Sequence, residues 1–517
     1  MHTLESLVLG KSIRGSDAPV LLLNPTTEEP LAEVRSGGFD PKAVIEYARA
    51  KGGPALRQMN FAQRGAILKA LSTAIHRERE ALIEVSIQNA GTPRGDAKFD
   101  IDGATGTLAY YAALGESLGE RRILADGEGV QLGRTARFWG QHVLVPRLGA
   151  AVHINAFNFP AWNMMEKAAC ALLAGAPVIE KPGTATALLA ERIARIVIES
   201  GALPEGAWQF IAGSLGNLVE HLDAQDSIAF TGSSRTAAIL RGHPNVVRSN
   251  VRINLEADSL NAAILAPDVE TSSETYALFI ANVALDMTQK SGQKCTAVRR
   301  VLVPKERAAE VRADLISALG KVKLGDPTIA ENRMGPLASK SQFDEVRNGI
   351  KKLAAAAQVA CGGPERVGER GYFVAPTLLE ARDSNADLFH ADEVFGPAAT
   401  LLPYGGTAAE ASALVARGGG GLIASAYSND GPWVEEIVMG LAPWHGRLWL
   451  ASDRMAEQSL PPGMVLPASI HGGPGRAGGG EELGGLRGLA FYQQRTALQG
   501  FKTPLAAYAA PGTGAAS

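Results

Sequence analysis

Between residues 149 and 256 short, largely apolar runs alternate with longer amphipathic ones. Segments 149–155 (GAAVHIN), 176–181 (APVIEK), 208–212 (WQFIA), 227–230 (SIAF) and 251–255 (VRINL) have the length and composition of buried strands. Between them, 163–174 reads as a helix, and 185–200 as another with Leu188, Ile193, Ile196 and Val197 at helical spacing. Strands separated by helices predict a parallel, doubly wound α/β sheet that binds ligands at the carboxyl ends of its strands. A second mixed block, 257–460, contains a predicted helix at 274–289 with Phe279, Ile280, Val283 and Met287 on one face. The loop SGQKC (291–295) and an apolar strand at 298–303 follow, and 339–357 predicts a further amphipathic helix. Segments 133–147 and 491–499 alternate like isolated strands, and are expected to pair with each other or with another subunit.

Composition narrows the class. Lys and Arg number 50 against 53 Asp and Glu, a formal net charge of −3. No general attraction to nucleic acid or to an anionic membrane follows, and neither is expected as a partner. The longest apolar stretch, 168–179, is broken by Gly175 and Pro177 and is too short to span a bilayer. The N-terminal residues lack a secretory leader pattern, and three cysteines (Cys170, Cys295, Cys361) make no disulfide framework. A cytoplasmic enzyme is the expectation. Glycine gathers in 418–421 and in 471–488 (HGGPGRAGGGEELGGLRG). Gly473, Gly475 and Gly478 satisfy the G-x-G-x-x-G fingerprint, which requires a preceding strand and a following helix; Pro474 and the further glycines point to a loop instead. The nine histidines show no metal-ligand spacing, and no metal is expected.

Candidate chemistry begins at Cys295. Cys170 and Cys361 lie in Ala-rich apolar runs and read as structural, whereas Cys295 sits in a polar loop between a helix and a strand. A thiol is intrinsically nucleophilic but needs a base and an oxyanion site. Glu256 ends the strand VRINL, where desolvation is expected to raise its pKa. Asn158 follows the first strand in NAFNFP, where its amide could donate to a developing oxyanion.

Together, Asn-Phe-Pro after a strand, Glu ending a later strand and Gly-Gln-x-Cys beyond it resemble the aldehyde dehydrogenase superfamily. Glu-Lys-Pro at 180–182, Phe-Thr-Gly-Ser at 230–233, Gly-Tyr-Phe-x-x-Pro-Thr at 371–377 and Glu-Val-Phe-Gly-Pro at 393–397 add to the resemblance, which spans nearly the whole chain in order. It implies an aldehyde-dehydrogenase-like α/β fold. Residues 1–120, 149–256 and 461–488 would form a Rossmann-type dinucleotide-binding domain, 257–460 a catalytic domain, and 121–148 with 489–517 a β oligomerisation arm of a homodimer or dimer of dimers. It also implies that Cys295 is the nucleophile, Asn158 an oxyanion donor and Glu256 the base that activates water on a thioacyl-enzyme. Lys167 and Glu482 would tune that base or relay protons.

For the cofactor, Lys181 matches an adenosine-ribose contact, Gly232 and Ser233 a pyrophosphate loop, Glu393 a ribose contact and Phe395 a residue beside the nicotinamide. Thr184 stands where a Glu would clasp the ribose hydroxyls, so NADP is expected, with NAD possible. Arg235, in the first turn of a helix, opposes the helix dipole unless an anion lies nearby. The sequence departs from the common family pattern at Leu255-Glu256-Ala257-Asp258-Ser259 and at Ser234-Arg235-Thr236-Ala237. The Gly-rich tract running into Phe491-Tyr492-Gln493-Gln494-Arg495-Thr496 resembles a branch that oxidises CoA-linked semialdehydes from aerobic ring opening of benzoyl-CoA or phenylacetyl-CoA. The benzoyl-CoA type is expected from the absence of a fused hydratase. The phenylacetyl-CoA type and a CoA-acylating dehydrogenase are alternatives. A cofactor-free thiol hydrolase would want an activating histidine, and none lies near Cys295 in sequence.

Overall fold

The computed structural model describes residues 1–135, 137–455, 458–505 and 508. Its first sheet has nine strands, in the spatial order Arg252–Glu256, Ser227–Thr231, Ala151–Ile154, Val178–Lys181, Trp208–Phe210, His2–Val8, Pro30–Val34 and Val20–Leu23, with Lys11–Arg14 beside His2–Val8. The five strands from residue 151 to 256 are mutually parallel, as the alternating pattern predicts. Ala151–Ile154 comes first of these in sequence. The next two strands run to one side of it and the last two to the other. That reversal opens a crevice at the carboxyl ends of the strands, next to Ala151–Ile154.

The second sheet has seven strands, in the order Ala357–Cys361, Thr377–Ala381, Ala398–Tyr404, Arg300–Pro304, Ala262–Leu265, Gly421–Tyr427 and His445–Ala451. All pairs are parallel except at the Ala357–Cys361 edge. Each large sheet has its own core. Leu4, Ile101, Leu172, Val178 and Phe210 pack with Leu483, Leu489 and Tyr492 in one, while Ile264, Phe279, Val301, Leu401 and Tyr427 pack in the other.

The expected helices form at Trp162–Ala174, Ala187–Glu199, Glu274–Thr288 and Lys340–Ala354. Every residue of Trp162–Ala174 is buried, including Glu166 and Lys167. Its alanines allow close approach at no loss of helix propensity. Gly175 then stops it in a left-handed conformation, φ 93°.

The two isolated strands pair with each other. Phe138–Pro146 runs antiparallel to Gln493–Phe501 over nine residue pairs, with Leu124–Ala125 and Val130–Gln131 completing a small sheet. Of the expected arm, residues 136, 506–507 and 509–517 lie outside the described residues.

The Gly-rich tract folds as an antiparallel ribbon, Ile470–Gly472 with Glu481–Leu483, around a short turn at Gly475–Ala477. Its glycines serve a close approach between backbones. A Cβ on Gly478 would lie 2.3 Å from the Leu255 carbonyl oxygen, and one on Gly480 2.5 Å from it. Ala257 N–H donates to Ala477 O at 2.9 Å and Gly480 N–H to Leu255 O at 3.1 Å, fastening the ribbon to the strand that carries Glu256. Among the described residues, no helix is long and apolar enough to cross a membrane.

Candidate active site

The segment before Cys295 is bent sharply. Lys290 (φ 51°), Ser291 (φ 55°) and Gly292 (φ 68°) are successively left-handed. For a residue with a Cβ that conformation costs roughly 1–2 kcal/mol, so tertiary contacts must hold it. Lys290 N–H donates to Asp96 Oδ2 at 2.7 Å and Ser291 Oγ donates to Gly335 O at 2.8 Å. Lys290 Nζ lies 3.7 Å from Asp100 Oδ2 and 4.3 Å from the centre of the Phe159 ring. At Gly292 a Cβ would stand 2.2 Å from Gly396 O, so no larger residue fits. Beyond the bend, Asn261 Nδ2 donates to the carbonyls of Cys295 at 2.7 Å and Ala297 at 2.9 Å, fixing the approach to strand Arg300–Pro304.

Cys295 emerges partly exposed between the two large sheets. Its Sγ lies 3.8 Å from His471 Nε2, which is 3.2 Å from Glu256 Oε2. Asn158 is brought to the same loop, Nδ2 donating to Gln293 O at 3.0 Å. Burial pushes the Cys295 thiol well above its ordinary range, and the Glu256 charge pushes it further. The expected rise at Glu256 is not found. Burial does push that carboxyl up, but the charge and hydrogen bond of His471, with Lys167 behind, outweigh burial and hold it below the ordinary carboxylate range. Burial alone would lower His471, yet Glu256 holds it raised, so the two form a buried ion pair.

His471 was not selected from sequence. It lies 176 positions from Cys295, and its one local signal is its place at the head of a glycine tract that must lie flat against another strand. A histidine absent near Cys295 along the chain is thus placed 3.8 Å from its Sγ in space.

Lys167 and Glu482 also come together. Lys167 Nζ lies 3.3 Å from Glu482 Oε2 and 3.4 Å from Glu166 Oε1. Asn163 Nδ2 donates to Glu166 Oε1 at 2.9 Å, and Asn254 Nδ2 to Glu482 Oε1 at 3.2 Å. Burial would lower the Lys167 ammonium, but Glu482, Glu166 and Glu256 together hold it above its ordinary range. Glu166, another residue missed in the sequence, is pushed up to about 7 by burial despite Lys167 beside it. Helical position alone gives no sign that Glu166 faces inward, because every neighbour on this helix is buried too.

The residues expected at a cofactor line the crevice from both sides. Lys181 ends its strand, has its amine lowered by burial, and has no ion-pair partner among the described residues. Thr184 begins a single partly exposed turn, and Gly232 N–H donates to Glu256 O at 3.1 Å. Ser233 caps helix Ser234–Arg241, with Oγ accepting from Thr236 N–H at 3.3 Å. Opposite them, Glu393 accepts from Ser259 N–H at 2.9 Å and Arg299 Nε at 3.3 Å, and burial pushes its carboxyl up to about 7. Phe395 meets Phe157 edge-on, ring centres 5.9 Å apart.

Asp258 adds what the sequence pattern left open. Its carboxylate accepts from Ser234 N–H at 2.9 Å and Ser234 Oγ–H at 2.6 Å, at the helix N-terminus. The anion expected near Arg235 is therefore present in the protein itself, and Arg235 is exposed. An uncompensated lysine, a capped helix start and an aromatic pair bordering one crevice are compatible with a dinucleotide.

A partly exposed thiol, a buried carboxylate and an amide gather where a doubly wound sheet meets a second α/β unit, an arrangement compatible with thiol chemistry on a nucleotide-binding frame. The chain belongs to the aldehyde dehydrogenase family, whose model matches residues 13–492, and with it to the NAD(P)-dependent aldehyde dehydrogenases. It is 42% identical over 479 residues to a 3,4-dehydroadipyl-CoA semialdehyde dehydrogenase of Aromatoleum evansii, covering 91% of this chain and 93% of that protein. Identity to a chloroplastic betaine aldehyde dehydrogenase of Amaranthus hypochondriacus is 27% over 479 residues, 90% of this chain and 89% of the other. Among solved structures, an aldehyde dehydrogenase from Bacillus cereus in complex with NAD+ shares the fold with a TM-score of 0.82 at 24% identity, covering 97% of both chains.

Proposed function

We propose that this protein oxidises a CoA-linked semialdehyde, of the 3,4-dehydroadipyl-CoA semialdehyde type, to the carboxylic acid, with NADP as the preferred acceptor. The cluster of Cys295, Glu256 and Asn158 carries the reaction type. The 42% identity across 91% of the chain supports the substrate class.

Sγ of Cys295 attacks the aldehyde carbon while its proton passes to the neighbouring Glu256 carboxylate. The resulting oxyanion accepts from Asn158 Nδ2 and from the Cys295 N–H, which has no acceptor among the described residues. Lys181, Gly232, Ser233, Glu393 and Phe395 would hold a nicotinamide dinucleotide, which would supply the hydride acceptor for oxidation of the thiohemiacetal to a thioester. Once its first proton has left, Glu256 takes a proton from the attacking water, and collapse of the tetrahedral adduct frees the acid while Glu256 returns that proton to the Cys295 thiolate. Lys167, Glu166 and Glu482 carry protons from Glu256 towards solvent. Glu166, poised at about 7, suits exchange near neutral pH.

The preference for NADP rests on Thr184, which places no carboxylate where a 2′-phosphate would lie. Residues 1–120, 149–256 and 461–488 serve as the dinucleotide-binding domain and 257–460 as the catalytic domain. Residues 121–148 and 489–517 act as the arm of a cytoplasmic homodimer or dimer of dimers, offering the exposed outer strand Gln493–Phe501.

Steady-state reduction of NADP and of NAD with a CoA-linked unsaturated C6 semialdehyde tests the reading. Preference for NADP with formation of the acid is expected. Turnover with NAD alone overturns the cofactor choice. Acyl-CoA formed from added CoA overturns hydrolysis, and turnover confined to simple aliphatic aldehydes overturns the substrate.

A further inference from the structure

We propose that Cys295, His471 and Glu256 form a chelating site for Zn2+, and that the bound ion closes the active site reversibly. The donors Sγ, Nε2 and a carboxylate oxygen all lie within 4.8 Å of one another. With Zn–N and Zn–O bonds near 2.1 Å and Zn–S near 2.3 Å, a tetrahedral site has N···O edges of about 3.4 Å and S···N edges of about 3.6 Å. The observed N···O and S···N separations, 3.2 Å and 3.8 Å, lie within a few tenths of an ångström of these edges, and the Sγ and carboxylate oxygen lie within 4.8 Å of each other.

The donor set selects the metal. One thiolate, one imidazole and one carboxylate suit Zn2+, whereas Mg2+ and Ca2+ require oxygen cages. Glu256 Oε1 is buried with no hydrogen-bond partner among the described residues, and it or a water completes the coordination. His471 Nδ1 is likewise unpartnered, so its proton is free to reside there and leave the Nε2 lone pair to the ion.

The surrounding charges favour a dication. Glu166, Glu256 and Glu482 present oxygens within 4.8 Å of one another. A bound Zn2+ meets two negative charges among its own ligands, the Cys295 thiolate and the Glu256 carboxylate, with the Glu166 and Glu482 carboxyl groups close by. Binding is ligand exchange without redox. Zn2+ displaces the thiol proton and any imidazolium proton to solvent, so affinity rises with pH. The ion ties up nucleophile and base together, and a chelator restores both.

The test uses the full-length enzyme without aldehyde or nicotinamide, with Co2+ as the spectroscopic probe and Zn2+ as competitor. One Co2+ per chain is expected, with a thiolate-to-cobalt charge-transfer band and intense tetrahedral visible bands, all erased by Zn2+. Cys295→Ala is expected to abolish the charge-transfer band, and His471→Asn to weaken binding about a hundredfold or more. A band that survives in Cys295→Ala, or wild-type affinity in His471→Asn, overturns the site. Should His471→Asn not fold by circular dichroism, Glu256→Gln removes the carboxylate donor without changing shape, and unchanged Co2+ affinity there overturns it equally.

Discussion

Replacing Glu256 by Gln should make the enzyme's thiol more reactive and the enzyme slower. Sγ and the carboxylate lie within 4.8 Å. At that separation and an effective dielectric constant near 20, unit charges repel by about 3.5 kcal/mol, so the carboxylate disfavours the thiolate. His471 cancels part of this, so removal of the charge should lower the Cys295 pKa, and iodoacetamide should label the variant at least about tenfold faster at neutral pH. Loss of the base should meanwhile cut steady-state turnover by about 10²–10⁴, while a single-turnover burst of nicotinamide reduction persists. The two effects run in opposite directions in one variant, which separates them from general damage. Labelling at the wild-type rate would refute the electrostatic account, and wild-type steady-state turnover would refute the role of Glu256 as base.

Asn158→Ala should lower kcat by about 10²–10³ with little change in the KM for NADP, and an unchanged kcat would remove it from the oxyanion site. Thr184→Glu should place a carboxylate against the 2′-phosphate and shift the ratio of kcat/KM for NADP over NAD at least about tenfold towards NAD; an unchanged ratio would detach this position from cofactor choice. Gly292→Ala should lose roughly 1–3 kcal/mol of stability, because its Cβ would lie 2.2 Å from Gly396 O, and a wild-type Tm would contradict the crowding there. In the free wild-type enzyme burial and Glu256 raise the Cys295 pKa above the ordinary thiol value, so alkylation should climb with pH and stay far from its plateau at neutral pH. A plateau below pH 7 would reverse that assignment.

The sequence made the parallel half of the first sheet legible because buried strands between amphipathic helices leave a strong local pattern. Glu256, Asn158 and Cys295 were legible for a related reason: Glu256 ends a strand, Asn158 lies in the loop that follows one and Cys295 in the loop that leads to one, each where the pattern breaks. Residues whose role comes from distant contacts left little local trace. His471 acquires its partners only when the ribbon Ile470–Gly472 meets the strand Arg252–Glu256, and Glu166 only when its helix is enclosed on every side. The direction of the Glu256 shift failed for the same cause. Desolvation can be guessed from one strand end, whereas the opposing imidazolium comes from another part of the chain. The glycine tract was correctly separated from a dinucleotide fingerprint, but its purpose, laying one backbone against another, required the partner strand.

The ribbon fastened to the strand Arg252–Glu256 also has a consequence for synthesis. Folding towards the amino terminus can supply the crevice and the loop that carries Cys295, but Glu256 lacks its imidazole partner until residues around 471 have left the ribosome, because His471 lies in the ribbon docked beside Cys295. Contacts across such sequence separations form late. A nascent chain of this protein therefore carries Cys295 and Glu256 before the ribbon bearing His471 can dock between them.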